Sequence, residues 1–401
     1  MSDDLIPAPE ACRILGISAA TLYAYVSRGL LESRPGLEAR SRMYRKQDVE
    51  RLAQNKRAGR GAARGAAQSL DRGLPVMETR ISLIRPESPY YRGQSAVAMV
   101  RDGATLEDTA RLLWDCGGDD PFVPPPAPWP SVVQSIAGNA ALPPLERTLA
   151  VMPLLALEVR HSFNQSVDVR RQIAAGLLRH NAALLIAHGP NAAPVHLQLA
   201  RALRPDDAGF AELVRAALVL CADHELNVSA FAARVVASTG AHLHATVCSG
   251  LAALSGPRHG GATARAYALI DSGEEEVAQR WQRGDDLPGF GHALYPNGDP
   301  RAAELLAMLR PRHADLPGMA QLEAVIARAG EVSGLQPNVD LMLAAVCWLH
   351  GLPAAPALVL FATGRLAGWL AHALEQQSLG KLIRPRAHYS GARPAALEQA
   401  D

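Results

Sequence analysis

Lysine is almost missing from this sequence. Of 40 basic residues among 401, only Lys46, Lys56 and Lys381 are lysine. Aromatic residues are also few, at 5%. The five cysteines (Cys12, Cys116, Cys221, Cys248 and Cys347) are scattered and include no C-x-x-C pair. An odd, dispersed set excludes a disulfide framework and a cysteine zinc site, and favours a reducing compartment. The N-terminus, Met1-Ser2-Asp3-Asp4, is acidic and lacks an apolar signal core, so a cytoplasmic location is expected. Long uninterrupted apolar runs are missing too. Residues 341–364 carry no charge, but His350-Gly351-Leu352-Pro353 and Pro356 cut the stretch in two. That pattern predicts a buried helical hairpin and no membrane span.

What is present fits a globular chain: 48% hydrophobic and 20% charged residues, with length enough for two or three domains and a sizeable core. The net charge of +1 hides an uneven distribution. Residues 34–64 hold ten Arg/Lys against three Asp/Glu. Arginine dominance alongside abundant alanine reflects base composition, so the local cluster is the signal.

Residues 7–52 read as a small helical module. A helix over 8–15, a turn at Gly16-Ile17, an N-cap at Ser18 and a second helix over 19–27 make a helix-turn-helix. A polar hairpin or wing over 32–44 follows, then a helix over 47–53. The second helix of such a unit enters the DNA major groove, with Ser18, Thr21, Tyr23 and Tyr25 as candidate contacts. Arg40, Arg42, Arg45 and Lys46 would meet phosphates. The run Pro9-Glu10-Ala11-Cys12-Arg13-Ile14-Leu15-Gly16-Ile17-Ser18 with Arg42-Met43-Tyr44-Arg45 resembles the MerR-type winged helix-turn-helix, which implies double-stranded DNA as a partner. Residues 55–75 form a basic, flexible linker rich in Gly, Ala and Arg.

Beyond residue 76 a short strand at 81–84 is followed almost entirely by helical periodicity: 106–114, 145–157, 167–188, 210–221, 227–239, 246–254, 262–270 and 302–309. Pro-rich residues 121–130 form a surface loop. The fold class is all-α, a winged helix-turn-helix followed by a large helical domain. His161, His180, His188 and His196 are expected on helix surfaces. His242 and His244 diverge on a helix, so no metal site is expected.

Four places interrupt the helices with polar residues beside turn formers. In Gly256-Pro257-Arg258-His259-Gly260-Gly261 a helix breaks, and a histidine sits where glycines give a ligand room. Phe290-Gly291-His292 repeats the device, ahead of Asp299-Pro300-Arg301. The others are Ala222-Asp223-His224-Glu225 and Asn338-Val339-Asp340. Taken singly, Asp340 reads as a helix N-cap and each arginine as a surface residue. Taken together they suit enolate chemistry: arginines clamp a dianionic acid, neutral histidines polarise carbonyls, and an aspartate removes a proton beside a carbonyl.

This ordered set resembles the citrate synthase family over roughly residues 76–395. Gly364-Arg365-Leu366-Ala367-Gly368-Trp369, Arg384-Pro385-Arg386 and Tyr91-Arg92-Gly93 belong to it as well. The resemblance implies condensation of acetyl-CoA with oxaloacetate to citrate and CoA through an enol, as in the tricarboxylic acid cycle. Asp340 would be the base, His259 would hold the thioester oxygen, and His292 would polarise the ketone. His224, Arg301, Arg365 and Arg384 would bind carboxylates. Arg384 would come from the other subunit of a homodimer. No cofactor is implied, and a lid over about 260–345 would close on the substrates. Ala293, Pro296 and Thr263 depart from the usual family residues. Two other activities fit the same motifs: 2-methylcitrate synthesis from propionyl-CoA, and a DNA-binding transcription regulator using the synthase domain as a metabolite sensor.

Overall fold

A computed structural model describes residues 5–15, 22, 26, 31, 33–35, 42–50, 77–158, 166–386 and 391. The chain divides into two compact units, Met1–Glu78 and Thr79–Asp401.

In the first unit the helix Ala8–Leu15 forms where expected, because Ala8, Ala11, Cys12 and Leu15 repeat at helical spacing and face inward. The wing is an antiparallel pair, β2 (Ser33–Pro35) and β3 (Arg42–Arg45), with Ser33 opposite Tyr44. A third strand, β1 (Leu5–Pro7), adds to the other edge of β3 with Ile6 opposite Tyr44. Its three residues are too few to show alternation, so the sequence did not reveal it. Tyr44, Ile6, Leu22 and Val49 close a small core. Ser18, Thr21, Tyr23, Tyr25 and Arg40 lie outside the described residues. Arg42 is exposed on β3, and Arg45 ends the same strand.

The second unit opens with an antiparallel three-stranded sheet: β4 (Ser82–Arg85), β5 (Ser88–Tyr91) and β6 (Gln94–Ser95). Each unit carries one small sheet within a mostly helical fold, which agrees with the all-α class and with the expected wing and short strand at 81–84. The rest is helical and organised around Ala355–Leu379, a 25-residue helix buried on nearly every side. Helices Ala208–Cys221, Val228–Ser238, Leu243–Leu254, Val339–Leu349, Val167–Leu185 and Leu106–Leu113 all pack on it. A helix apolar all round must be covered all round, and this one is. It has the length and apolarity to cross a membrane, yet 94% of its most apolar window is buried inside the protein. The predicted hairpin is the pair Val339–Leu349 and Ala355–Leu379.

Helices Gly261–Ser272, Glu274–Arg283, Pro300–His313, Pro317–Ser333 and Val339–Leu349 pack largely on one another. The Pro121–Pro130 segment is irregular, as expected, although Phe122 and Pro130 are buried. His196 is buried rather than on a helix surface, because its helix packs against Ala208–Cys221. His180 is half-buried and His188 exposed, while His161 lies outside the described residues.

Candidate active site

The turn at residues 222–225 is set by close helix packing. Gly368 donates its backbone N–H to Ala222 O at 2.9 Å, and a Cβ there would lie 2.3 Å from Asp223 Oδ1. Glycine is therefore required where the long helix crosses the end of Ala208–Cys221. Arg365, one helical turn earlier, donates Nε to Cys221 O at 2.8 Å and stacks over Phe361 at 4.8 Å. The same turn presents His224, whose Nε2 meets the Tyr295 hydroxyl at 3.0 Å and whose ring stands edge-on to His292, centroids 5.0 Å apart.

His292 comes from a second turn locked to a third. Gly291 N–H donates to Gln336 O at 2.8 Å, Asn338 N–H to Gly289 O at 2.9 Å, and Asn338 Nδ2 to Gly291 O at 2.9 Å. This strand-like pairing fixes the His292 turn beside the start of Val339–Leu349, where Asp340 sits. Leu294 N–H donates to His292 Nδ1 at 3.1 Å, so the imidazole proton belongs on Nε2, leaving that nitrogen as a donor.

Asp340 is not the helix cap. Asn338 caps, with Oδ1 accepting the N–H groups of Asp340 at 3.0 Å and Leu341 at 3.4 Å. The half-buried Asp340 carboxyl accepts no hydrogen bond from the described residues and is left for chemistry. Loss of surrounding water pushes its pKa up to about 6, against the pull of Arg301 and Arg365. Burial, reinforced by Arg365, lowers His259 to about 4. Burial, reinforced by Arg301, lowers His292 to about 4. Burial, together with Arg301 and Arg365, also lowers His224 well below its ordinary value. All three imidazoles are thus neutral at pH 7.

His259 follows the helix Leu243–Leu254 and stands edge-on to Phe361, with Ser229 Oγ 2.8 Å from its Nε2. The glycine beside it has a different purpose from the expected one. Gly260 N–H donates to Leu254 O at 3.0 Å, and a Cβ on Gly260 would lie 2.2 Å from that oxygen. Gly260 thus closes the helix end rather than making ligand space. A Cβ on Gly261 would meet nothing nearer than Pro257 at 3.7 Å. Thr263 Oγ1 donates back to Gly260 O at 3.3 Å, finishing the same turn. Ala293 and Pro296 are exposed.

Arg301 is buried and bound by Asp299 through two parallel bonds, Nε to Oδ1 at 2.9 Å and Nη2 to Oδ2 at 2.8 Å. Burial alone would lower its pKa, but Asp299 outweighs burial and keeps it raised. The guanidinium is therefore permanently charged, pre-aligned and engaged on one edge only. The structure brings His224, His259, His292, Arg301, Arg365 and Asp340 to one region, as their mutual electrostatic influence shows. It does not bring Arg384 there. Arg384 is exposed on the tail after the long helix, where Ile383 N–H donates to Ser238 Oγ at 3.1 Å.

Sequence reasoning left out four residues that hold the site: Ser229, Tyr295, Asp299 as a clamp on Arg301, and Ser82, which donates to Asp223. Tyr295 and Asp299 fall within the His292–Arg301 motif. Ser229 and Ser82 touch partners 30 and 141 positions away, so no local spacing pointed to them.

Residues 130–386 match the family model of the citrate synthase C-terminal domain, and residues 8–57 match that of a helix-turn-helix domain. Over 334 residues the chain is 32% identical to a protein provisionally named citrate synthase 2 in Mycobacterium tuberculosis (strain ATCC 25618 / H37Rv), covering 78% of this chain and 89% of that one. It is 36% identical over 187 residues to a 2-methylcitrate synthase of Shewanella oneidensis, covering 44% and 50% of the two chains. The citrate synthase of the archaeon Thermoplasma acidophilum, solved with carboxymethyl coenzyme A and oxaloacetate, shares the fold. Its TM-score is 0.68 at 22% identity, with 82% of this chain and 99% of that one aligned. The architecture and site define a helical acyltransferase. The chain belongs to the citrate synthase family, preceded by a helix-turn-helix unit.

Proposed function

We propose that the chain condenses acetyl-CoA with oxaloacetate, with Asp340 removing a methyl proton from the thioester. The observation that carries this reading is the Asp340 carboxyl itself. It is not used as a cap, accepts no hydrogen bond from the described residues, and is raised by burial to a pKa of about 6, suited to a base that must be ionised near neutral pH. A neutral His259 donates to the thioester oxygen as the enol forms, and Ser229 backs that ring. The enol carbon attacks the ketone carbon of oxaloacetate, whose oxygen takes a proton from His292 Nε2–H. Water then cleaves the citryl thioester, giving citrate and CoA. His224, the free edge of Arg301 and the guanidinium of Arg365 bind the carboxylates. No cofactor enters this scheme. Closure of residues 260–345 over the substrates would exclude water during the condensation.

Release of CoA thiol from acetyl-CoA plus oxaloacetate, compared between wild type and Asp340→Ala, tests the reading. Release by wild type no greater than by the folded variant overturns it. Running propionyl-CoA in parallel distinguishes 2-methylcitrate synthesis by its higher kcat/KM.

Arg384, exposed on the tail, would complete the site of a second copy in a homodimer. Mixing an Arg384→Ala chain with an Asp340→Ala chain tests this, because mixed dimers regain one intact site. For the N-terminal unit, the helix-turn-helix match and the exposed Arg42 support binding to double-stranded DNA. We read it as a regulatory attachment on a cytoplasmic enzyme, in keeping with five free cysteines. Retardation of the chain's own promoter fragment, weakening steeply with salt and lost on deleting residues 1–64, is the expected result. Unchanged retardation after the deletion refutes it.

A further inference from the structure

Behind His224 runs a row of buried polar groups that makes no contact with the proposed reacting atoms. Asp223 is fully buried. Its Oδ2 accepts the Ser82 hydroxyl and, at 2.9 Å, the backbone N–H of Glu225. Asp223 therefore grips the chain on the far side of His224, where Glu225 is held at φ 55°, a left-handed conformation that a glutamate seldom adopts unaided. The other oxygen, Oδ1, lies 3.2 Å from His372 Nε2, a close approach of two buried polar atoms that falls short of an aligned hydrogen bond, and neither atom has another partner among the described residues.

The opposite nitrogen of that ring fixes its proton. His372 Nδ1 lies 3.1 Å from Arg234 Nη1. A guanidinium only donates, so Nδ1 accepts, and the single ring proton sits on Nε2, facing Asp223. Arg234 is itself anchored. It is fully buried and donates to Gln376 Oε1 at 2.8 Å and Glu375 Oε2 at 2.6 Å. Glu375 in turn accepts Thr79 Oγ1 at 2.9 Å and Arg80 N–H at 2.8 Å, just ahead of β4, which carries Ser82. The row thus begins and ends on the same strand segment, passing through two helices and the turn that presents His224.

We propose that His372 is a positioning residue for oxaloacetate binding: with its proton on Nε2 it joins Arg234 to Asp223 and so sets the angle at which His224 meets the substrate. This rests on the reading of His224 as a carboxylate ligand. Neither His372 nor Asp223 touches substrate. The row has no slack, because the long helix crosses so close to Asp223 that only Gly368 fits between them.

The test uses the full-length enzyme with two variants. His372→Gln retains a donor and an acceptor, whereas His372→Phe keeps a ring of similar volume with neither. The Phe variant raises the KM for oxaloacetate about tenfold or more, while kcat and the KM for acetyl-CoA stay within about twofold, as loss of one buried polar contact predicts. The Gln variant restores the oxaloacetate KM to within about threefold of wild type. Ser82→Ala, at the other end of the Asp223 grip, gives a smaller rise of the same kind and decides the matter if the Phe variant does not fold. Wild-type oxaloacetate KM in the Phe variant, equal impairment by Gln and Phe, or a loss confined to kcat overturns the proposal. Calorimetric binding of oxaloacetate reads the same pattern as Kd without turnover. A wild type that binds but releases no CoA overturns the proposed activity and leaves this measurement standing. A wild type that neither binds nor turns over overturns both.

Discussion

Asp299 Oδ2 accepts the backbone N–H of Val339 at 3.0 Å while also holding Arg301 Nη2 at 2.8 Å. One buried carboxylate therefore ties a proposed substrate-binding guanidinium to the helix that carries the proposed base. It also caps the helix Pro300–His313 by accepting Arg301 N–H at 3.0 Å. Replacing Asp299 by Ala strands a buried arginine, uncaps the helix Pro300–His313 and leaves the Val339 N–H without its acceptor. Breaking a buried pair in this way costs about 3–5 kcal/mol. Urea unfolding should show that loss, accompanied by a higher KM for oxaloacetate. A change below about 1 kcal/mol, the range of exposed pairs, would contradict the clamp.

Asp340→Asn isolates the chemical step. The amide keeps the shape and leaves the Asn338 cap in place, since that cap uses the backbone N–H groups of Asp340 and Leu341. We expect kcat to fall about 10²- to 10⁴-fold, the usual contribution of a positioned base, with both KM values nearly unchanged. Exchange of the acetyl methyl protons with deuterated solvent should fall in parallel. Persistent exchange would assign the base elsewhere.

The same carboxyl sets the acid limb of the pH profile. Only its ionised form can take a proton, and burial raises its pKa to about 6. As pH falls through that value the base is progressively neutralised, so kcat/KM should drop about tenfold per pH unit below it. His259 and His292, both lowered to about 4, stay neutral across this window and add no ionisation there. A limb centred near 4 would mean that the carboxyl is solvated in the working enzyme.

How far the sequence foretold this arrangement depends on the range of each interaction. The helices were legible because leucine and alanine repeat at 3.6-residue spacing, and the long buried helix was legible from its lack of charge. His259, His292 and Asp340 were legible because each stands beside a turn former. The local motif did not show what each turn is for. Gly260 reads as room for a ligand, but Leu254 O, six positions back, occupies the space where its side chain would be. Asp340 reads as a cap, but Asn338 takes that task. Ser82, Ser229 and His372 were invisible because serine and histidine on helices or strands are ordinary residues until a distant partner gives them a role. β1 was missed because three residues cannot establish a period.

Ser229→Ala tests whether His259 depends on its neighbour. The buried Ser229 Oγ accepts Trp369 Nε1–H at 3.1 Å, lies 2.9 Å from Asn227 Oδ1 and reaches His259 Nε2 at 2.8 Å. Its single proton can go to Asn227 Oδ1 or to His259 Nε2. For His259 to present an N–H to the thioester oxygen from Nδ1, Nε2 must accept, so Ser229 must turn its proton toward the ring when acetyl-CoA binds. Alanine removes that donor and also strands the Trp369 N–H. Losing one buried hydrogen bond in the reacting state corresponds to about 1.5 kcal/mol, or roughly tenfold in kcat. The KM for oxaloacetate should not move, because Ser229 touches none of the groups assigned to that substrate. Steady-state kinetics with each substrate varied in turn separates the two effects. An unaltered kcat would show that His259 holds its tautomer without Ser229, and a shift confined to the oxaloacetate KM would place Ser229 in the wrong half of the site.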